Sequence, residues 1–447
     1  MTEQDTTFGP SAPVIGRRKR ALAGLADQAF NAGANATNGL VAGILLGPSS
    51  YGRYVAAIGV AFITVAVARA FIGEVLLTHT ARARGEAYQK QIQDASATAL
   101  GVGAVAVVLA GAVWMIGFDL MSDLLWLAPF LPAALLSDAG RYAFLSQRRP
   151  QRSMAITGVA LLVQLGVVVG LASAGAIRPA TLLVAWGLGV VVGAVVAVSL
   201  LSVNPFRGRP RRWTTDTGHL SGWFMASAVL GQTQNWVALY FVGGFLGHAE
   251  LGGLRMLQML VLMPVQNLIW ALAGMIVPGY SHFAHDGDLR RIRRRTGGLV
   301  VIFGVVTLGL VALVPAGEWL VARWLPEYAD FDVLIMPIAL QAGLYLLQSP
   351  FNAALRGMQR AKYAFVQYAV FTAVILPASL IGAVTNGIAG AAYGMVVGAA
   401  AGCVAAYVCY HRAMRDLQWA VDTGEPAATN GGVPVPAKPD ETAPDFS

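Results

Sequence analysis

Leu182–Leu201 reads LLVAWGLGVVVGAVVAVSLL. This run carries no charge and, at about 1.5 Å of rise per residue, is long enough to cross the roughly 30 Å hydrocarbon core of a bilayer as one helix. A membrane β-barrel would instead show short segments alternating between apolar and polar residues. Gly101–Ala112 is continuous in the same way, and lipid tolerates such a run only where the backbone hydrogen bonds are satisfied within the segment, as in a helix. Outward from Leu182–Leu201, comparable runs lie at 21–46, 53–77, 96–117, 123–146, 153–174, 180–202, 219–246, 253–280, 297–317, 332–355, 363–385 and 388–410. With 56% hydrophobic and 12% charged residues, the chain cannot cover itself with a water-facing surface. The expected fold is an all-α membrane protein of about twelve transmembrane helices.

The basic residues fall in alternate connections: Arg17–Arg20; Arg82, Arg84 and Lys90; Arg148, Arg149 and Arg152; Arg207–Arg212; Arg290–Arg295; Arg356, Arg360 and Lys362; and Arg412, Arg415 and Lys438. Cytoplasmic loops carry such an excess, which predicts a multi-pass protein of a bacterial cytoplasmic membrane with both termini inside. The net charge of +8 then matches anionic membrane lipids, and no basic stretch interleaved with aromatics marks a nucleic-acid surface. Cys403 and Cys409 lie six positions apart on one helix, too far to bridge. The Arg17–Arg18 pair reads as the flank of the first helix, because eleven spans follow it.

An internal repeat sets the architecture. Leu46-Gly47-Pro48-Ser49-Ser50-Tyr51-Gly52 resembles Leu246-Gly247-His248-Ala249-Glu250-Leu251-Gly252, which places Asn35 on Asn235. Gln147–Arg152 corresponds to Gly357–Lys362, and Ala185-Trp186-Gly187 to Ala392-Tyr393-Gly394. Six helices per repeat is an even number, so the halves are parallel and related by an axis along the membrane normal. The expected division is a tail (1–20), a first lobe (21–203), a basic linker (204–218), a second lobe (219–412) and an unstructured tail (413–447).

Polar groups in hydrocarbon are costly, at about 2.5–3.5 kcal/mol for a central charge, so their placement is informative. Asp27, Asn31, Asn35 and Asn38 form one stripe on the first helix, and Arg69 and Glu74 follow on the second. Arg69 is expected either to pair with Asp27 or to present a cation to a cavity. The seventh helix carries Ser227, Gln234 and Asn235, the eighth Arg255, Gln258 and Gln266, and the tenth Gln341, Tyr345, Gln348 and Asn352. Asp138 and Arg141 have the spacing of an intrahelical pair with a structural role. A polar inner set and an apolar outer set describe a transporter better than a scaffold.

Leu25-Ala26-Asp27-Gln28, followed by Gly43-Ile44-Leu45-Leu46-Gly47-Pro48 and Tyr51-Gly52-Arg53-Tyr54, resembles the polysaccharide flippases of the multidrug/oligosaccharidyl-lipid/polysaccharide exporter superfamily. Leu355-Arg356-Gly357-Met358-Gln359-Arg360-Ala361-Lys362-Tyr363-Ala364 resembles the basic turn of their second half. The resemblance implies a V-shaped, two-lobed fold like that of the multidrug exporters (MATE), with helices one, two, seven and eight lining a hydrophilic cavity. It also implies outward transfer of an isoprenoid-diphosphate-linked oligosaccharide, in concert with other proteins of polysaccharide assembly. For such a substrate, Arg69 and Arg255 supply cations for the diphosphate, and Asn31, Asn35, Gln234, Asn235 and Gln341 supply amides for sugar hydroxyls, with Asp27 and Gln258 on the same faces.

None of Lys19, Lys90, Lys362 and Lys438 sits in a Gly-Lys-Ser/Thr phosphate loop, so a secondary transporter without a cofactor is expected. An inside-negative potential contributes about 2.3 kcal/mol per charge per 100 mV toward expelling an anionic headgroup. Asp27 or Glu74 would be the group for any proton or sodium coupling. Two rival readings remain. One is a cation-coupled drug exporter of the same superfamily; the other is a membrane-embedded polymerase or glycosyltransferase, for which the external segment Gly317–Asp332 is too short to hold a catalytic domain. The histidines suit polar flanks at helix ends, and no metal is expected.

Overall fold

The structure, a computed structural model, describes residues 17–79, 85–147, 149–232 and 236–423. Arg82, Arg84, Arg148, Gln234, Asn235 and the expected tails at 1–16 and 424–447 lie outside the described residues, as do the side chains of Arg17–Arg20 and Ser227. Among the described residues, nine continuous helical stretches are long and apolar enough to cross a membrane. Two of these fold back on themselves. Arg17–Ala68 turns at Gly47 (φ 67°, ψ 168°) into α1 (17–46) and α2, which passes through a π-helical stretch, Arg69–Gly73, and ends at His79. Ala361–Thr423 turns at Asn386 and Gly387 into α11 (361–385) and α12 (388–423). Tyr54 Oη donates to Asn38 Oδ1 at 3.0 Å, a contact that a straight helix, in which residues sixteen positions apart are about 24 Å apart, could not make.

The remaining helices are α3 (Gly85–Met115), α4 (Asp119–Ser146), α5 (Pro150–Ser173), α6 (Pro179–Leu201), α7 (Pro210–Gln232 with Ala238–Leu246), α8 (His248–His285), α9 (Leu289–Ala312) and α10 (Pro326–Gly357). Each of the twelve expected spans has its helix. Several are longer than hydropathy indicates, because an amphipathic helix continues past the apolar run that a sequence scan detects. α3 starts at Gly85 rather than at 96. α9 starts at its arginine cluster, where the Asp288 side chain caps the Arg291 N–H at 3.0 Å. Residues 413–423, expected in an unstructured tail, continue α12. The expected loop Gly317–Asp332 is instead mostly helical, with Val314–Trp324 leading into 3₁₀ turns and carrying the exposed Trp319 and Trp324, a residue type enriched at membrane interfaces.

Small residues bring helices together where apolar burial gives no drive in lipid. Gly390, Gly394, Gly398 and Gly402 form a four-residue-spaced stripe on α12, and each lies against α11, on Gly382, Ala378, Ile375 and Phe371 in turn. A Cβ on any of these glycines would meet backbone or ring atoms.

The helices form two six-helix lobes, α1–α6 and α7–α12, that meet at one end through the turns after α1 and α7. At the other end the start of α7 packs on the first lobe, where Trp213 is buried beside Ile92 and Ala95 and the Arg209 N–H donates to Asp94 Oδ1 at 2.7 Å. Gly47 and Gly247, equivalent in the repeat, both have positive φ, 67° and 118°, which explains a glycine at each turn. Just beyond them the contact is reciprocal: a Cβ on Gly52 would overlap the His248 carbonyl, and one on Gly252 the Pro48 carbonyl. Tyr328 Oη donates to the Gly43 carbonyl at 2.8 Å, Tyr240 Oη to the Ala56 carbonyl at 3.1 Å and Tyr51 Oη to Met259 Sδ at 2.9 Å. These bonds seal the end opposite the arginine-bearing turns. Toward those turns α1 and α8 part, leaving Asn35 and Asn267 exposed and giving the V shape expected of the fold.

Candidate functional site

A cavity of about 270 Å³ lies between the lobes directly beneath the seal. The first lobe contributes Asn35, Asn38, Tyr51 and Tyr54, and the second contributes Trp236, Arg255, Gln258, Gln266, Gln341 and Tyr345. Their placement follows from the sequence. The Gly47 and Gly247 turns start α2 and α8 at the same height, so Tyr51 falls about one turn and Arg255 about two turns into these facing helices. Gln341 Nε2 donates to Tyr345 Oη at 3.0 Å, and Gln258 Nε2 to Met395 Sδ at 3.7 Å.

Arg255 dominates the electrostatics of this cavity. Its guanidinium sits 4.7 Å from the Trp236 ring centroid, and its Nη1 reaches Gln258 Oε1 at 3.5 Å. Among the described residues no carboxylate pairs with it, and no Asp or Glu lines the cavity. A half-buried arginine held by an aromatic face and an amide keeps most of its five donors available to an anion.

Two further chambers adjoin this one. The first-lobe chamber, about 130 Å³, shares Asn35, Asn38 and Phe62 with it and adds Asn31, Arg69, Asp138, Arg141 and Gln164. Here the charges satisfy one another. Arg69 pairs bidentately with Asp138 (Nε–Oδ2 3.1 Å, Nη2–Oδ1 2.9 Å). Arg141 spans Asp138 at 3.2 Å and Asp27 at 3.4 Å. Asn38 Oδ1 also accepts from Gln164 Nε2. The second-lobe chamber, about 180 Å³, shares Gln266 and Tyr345 with the central cavity and adds Gln348, Asn352, Arg356, Tyr368 and Phe371.

Of the residues expected at a site, Asn35, Arg255, Gln258 and Gln341 line the central cavity. Asn31 and Arg69 line the first-lobe chamber. Asp27 is 1% exposed and held by Arg141, so the expected Arg69–Asp27 alternative is replaced by two crossed pairs, Arg69–Asp138 and Arg141–Asp27. Glu74 is exposed beyond the π-helical stretch and lines none of the three cavities. Among the described residues no cluster of His, Cys, Asp and Glu suits a metal. Sequence reasoning missed Trp236, Tyr51, Tyr54 and Gln164. Gln164 carried a signal, being an amide in an otherwise apolar span.

Together, the helices, the lobes and the cavity define a multi-pass membrane protein with a transporter fold. The family model described as "Polysaccharide biosynthesis protein" matches residues 136–316, a segment running from α4 to the short helix after α9. The structure superposes on an inward-facing MATE-family multidrug resistance transporter of the MOP superfamily (TM-score 0.69, 13% identity, 92% of this chain and 97% of that one). It superposes equally on the lipid II flippase MurJ in an inward closed conformation (TM-score 0.70, 10% identity, 91% and 92%). The MATE transporter VcmN of Vibrio cholerae in its bent form is also similar (TM-score 0.54, 13% identity, 90% and 98%). No curated protein matches the sequence significantly. The fold is therefore the one that these MATE and MurJ structures share, the V-shaped, two-lobed arrangement that the sequence resemblance implied.

Proposed function

We propose that this protein flips an isoprenoid-diphosphate-linked oligosaccharide across a bacterial cytoplasmic membrane by alternating access, in the assembly of a cell-surface polysaccharide. The observation that carries this reading is Arg255, a cation with no carboxylate partner among the described residues, in an inter-lobe cavity where amides and tyrosine hydroxyls stand among aromatic and aliphatic side chains. A diphosphate answers the guanidinium through charge-assisted bonds, and sugar hydroxyls answer Asn35, Gln258 and Gln341. The polyisoprenyl tail stays in lipid at the gap between the lobes. The family match to polysaccharide biosynthesis proteins supports the same substrate class. With the arginine-bearing turns on the cytoplasmic side, the described conformation accepts substrate from the inner leaflet, and the membrane potential favours its release outside.

A cation-exporting drug transporter fits less well. It would need an acid facing its substrate, whereas Asp27 and Asp138 are tied to Arg141 and Arg69, and Arg255 repels cations. The same ion pairs speak against Asp27 as a coupling group. Cells lacking the protein are expected to lose surface polysaccharide and accumulate its lipid-linked precursor, as seen by mass spectrometry of extracted lipids, with unchanged susceptibility to a panel of cationic drugs. Normal glycan with new drug sensitivity would replace this reading with the efflux one.

A further inference from the structure

The two lobe chambers differ in how their polar groups are satisfied. In the first-lobe chamber the arginines and aspartates pair with each other, and Asn38 accepts from Tyr54 and Gln164. Of the residues that line it, Arg141 Nε, on a group already held in ion pairs, and the single hydroxyl of Thr157 lack a partner. In the second-lobe chamber, Gln348 is 6% exposed and its Oε1 has no partner; the buried Oδ1 of Asn352, one helical turn further along, has none either. A buried amide acceptor without a donor costs about 1–3 kcal/mol, and two such amides one helical turn apart, on residues that line one chamber, mark a place where donors are supplied by something that binds.

The surrounding groups specify what that ligand is. Gln341, Tyr345, Gln348 and Asn352 lie on one face of α10, a polar ladder of about 16 Å that leads from the Arg255 cavity into the chamber. Tyr345 and Phe371 meet edge to face at 5.9 Å and 85°, giving an apolar wall beside the amides. Arg356 Nη2 donates to Tyr368 Oη at 3.1 Å at the chamber's outer edge. Among the described residues no carboxylate lines the space. Amide acceptors with an aromatic wall fit neither a metal ion nor an acyl chain; they fit a group that is rich in hydroxyls on its edges and apolar on its C–H faces.

We propose that the second-lobe chamber is a saccharide subsite, in which Gln348 and Asn352 accept hydroxyls of a sugar ring distal to the diphosphate. This assignment rests on the flippase reading and deepens it: Arg255 reads the diphosphate, Asn35, Gln258 and Gln341 meet the sugar next to it, and the chamber reads a sugar further along. Selectivity for that distal sugar therefore resides in α10.

The test compares two probes on the purified full-length protein in lipid nanodiscs: undecaprenyl diphosphate without sugar, and the lipid-linked glycan extracted from cells lacking the protein. The Gln348→Leu/Asn352→Leu double substitution is expected to weaken binding of the glycan-bearing probe about tenfold or more and to leave binding of undecaprenyl diphosphate unchanged, which also shows that the variant is folded. Equal affinity of wild type and variant for the glycan-bearing probe, or an equal loss on both probes, overturns the subsite while leaving the flippase reading in place. Wild type that binds neither probe overturns both.

Discussion

Replacing Arg255 with alanine abolishes glycan export while the protein remains folded in the membrane. Two charge-assisted hydrogen bonds to a diphosphate, at about 1.5–3 kcal/mol each, correspond to a loss of roughly 100-fold or more in apparent affinity. Stability behaves oppositely to what a buried arginine usually implies. Among the described residues no aspartate or glutamate depends on Arg255, so its removal leaves no orphaned acid behind, and stability should change by less than about 1 kcal/mol. Arg255→Lys retains the charge but loses the planar fork and its stacking on Trp236, and should fall between. The checks are surface polysaccharide in complemented deletion cells, with membrane levels and thermal unfolding of the purified variants measured beside it. Export at wild-type rate by Arg255→Ala would remove the cation from the account.

Arg141→Met gives the reverse pattern, a large loss of stability. Arg141 is the partner of Asp27, which is 1% exposed, and it also supports Asp138. Its loss strands a carboxylate inside the lobe, and breaking such a pair from one side costs about 3–5 kcal/mol. Asp27→Asn combined with Arg141→Met removes both members and leaves the bidentate Arg69–Asp138 pair intact, so most of the lost stability returns. Thermal unfolding of wild type, the two single variants and the double variant gives the coupling energy of the pair. Additive losses in the double variant would show that Asp27 and Arg141 do not act as a pair.

The contrast between the two arginines shows where sequence reasoning reaches and where it stops. The apolar runs reveal the helices because each must satisfy lipid along its own length, and the repeated Leu-Gly turns at Gly47 and Gly247 place α2 and α8 as equivalent elements before any contact is known. Helical spacing also gives faces: Gln341, Tyr345, Gln348 and Asn352 are one stripe by arithmetic alone. What a stripe faces depends on how neighbouring helices pack, and that is not local. Asp27 finds Arg141 across 114 positions and Arg69 finds Asp138 across 69, so the polar stripe of α1 divides: Asp27 turns into the lobe, Asn38 into a hydrogen-bonded cluster, and Asn35 alone stays exposed beside the central cavity. Trp236 gives no polar signal in sequence, although its ring determines how Arg255 is held.

Helix ends were hidden for a related reason. The polar turns at the start of α3 and α9 and at the end of α12 are helical because amphipathic faces and caps stabilise them outside the apolar slab, whereas hydropathy registers only the slab itself. The short helix Val314–Trp324 is a further example, with its two exposed tryptophans in a segment that reads as a loop.

The central claim is most directly tested by transfer itself. The purified protein is reconstituted into liposomes whose inner and outer leaflets contain lipid-linked glycan extracted from deletion cells, and a membrane-impermeant glycosidase is added outside. Flipping brings inner-leaflet glycan within reach, so digestion should proceed to completion with wild type and stop near one half with Arg255→Ala, as in protein-free liposomes. Digestion that stops near one half with wild type as well would contradict the assignment of this protein as a flippase for lipid-linked saccharide.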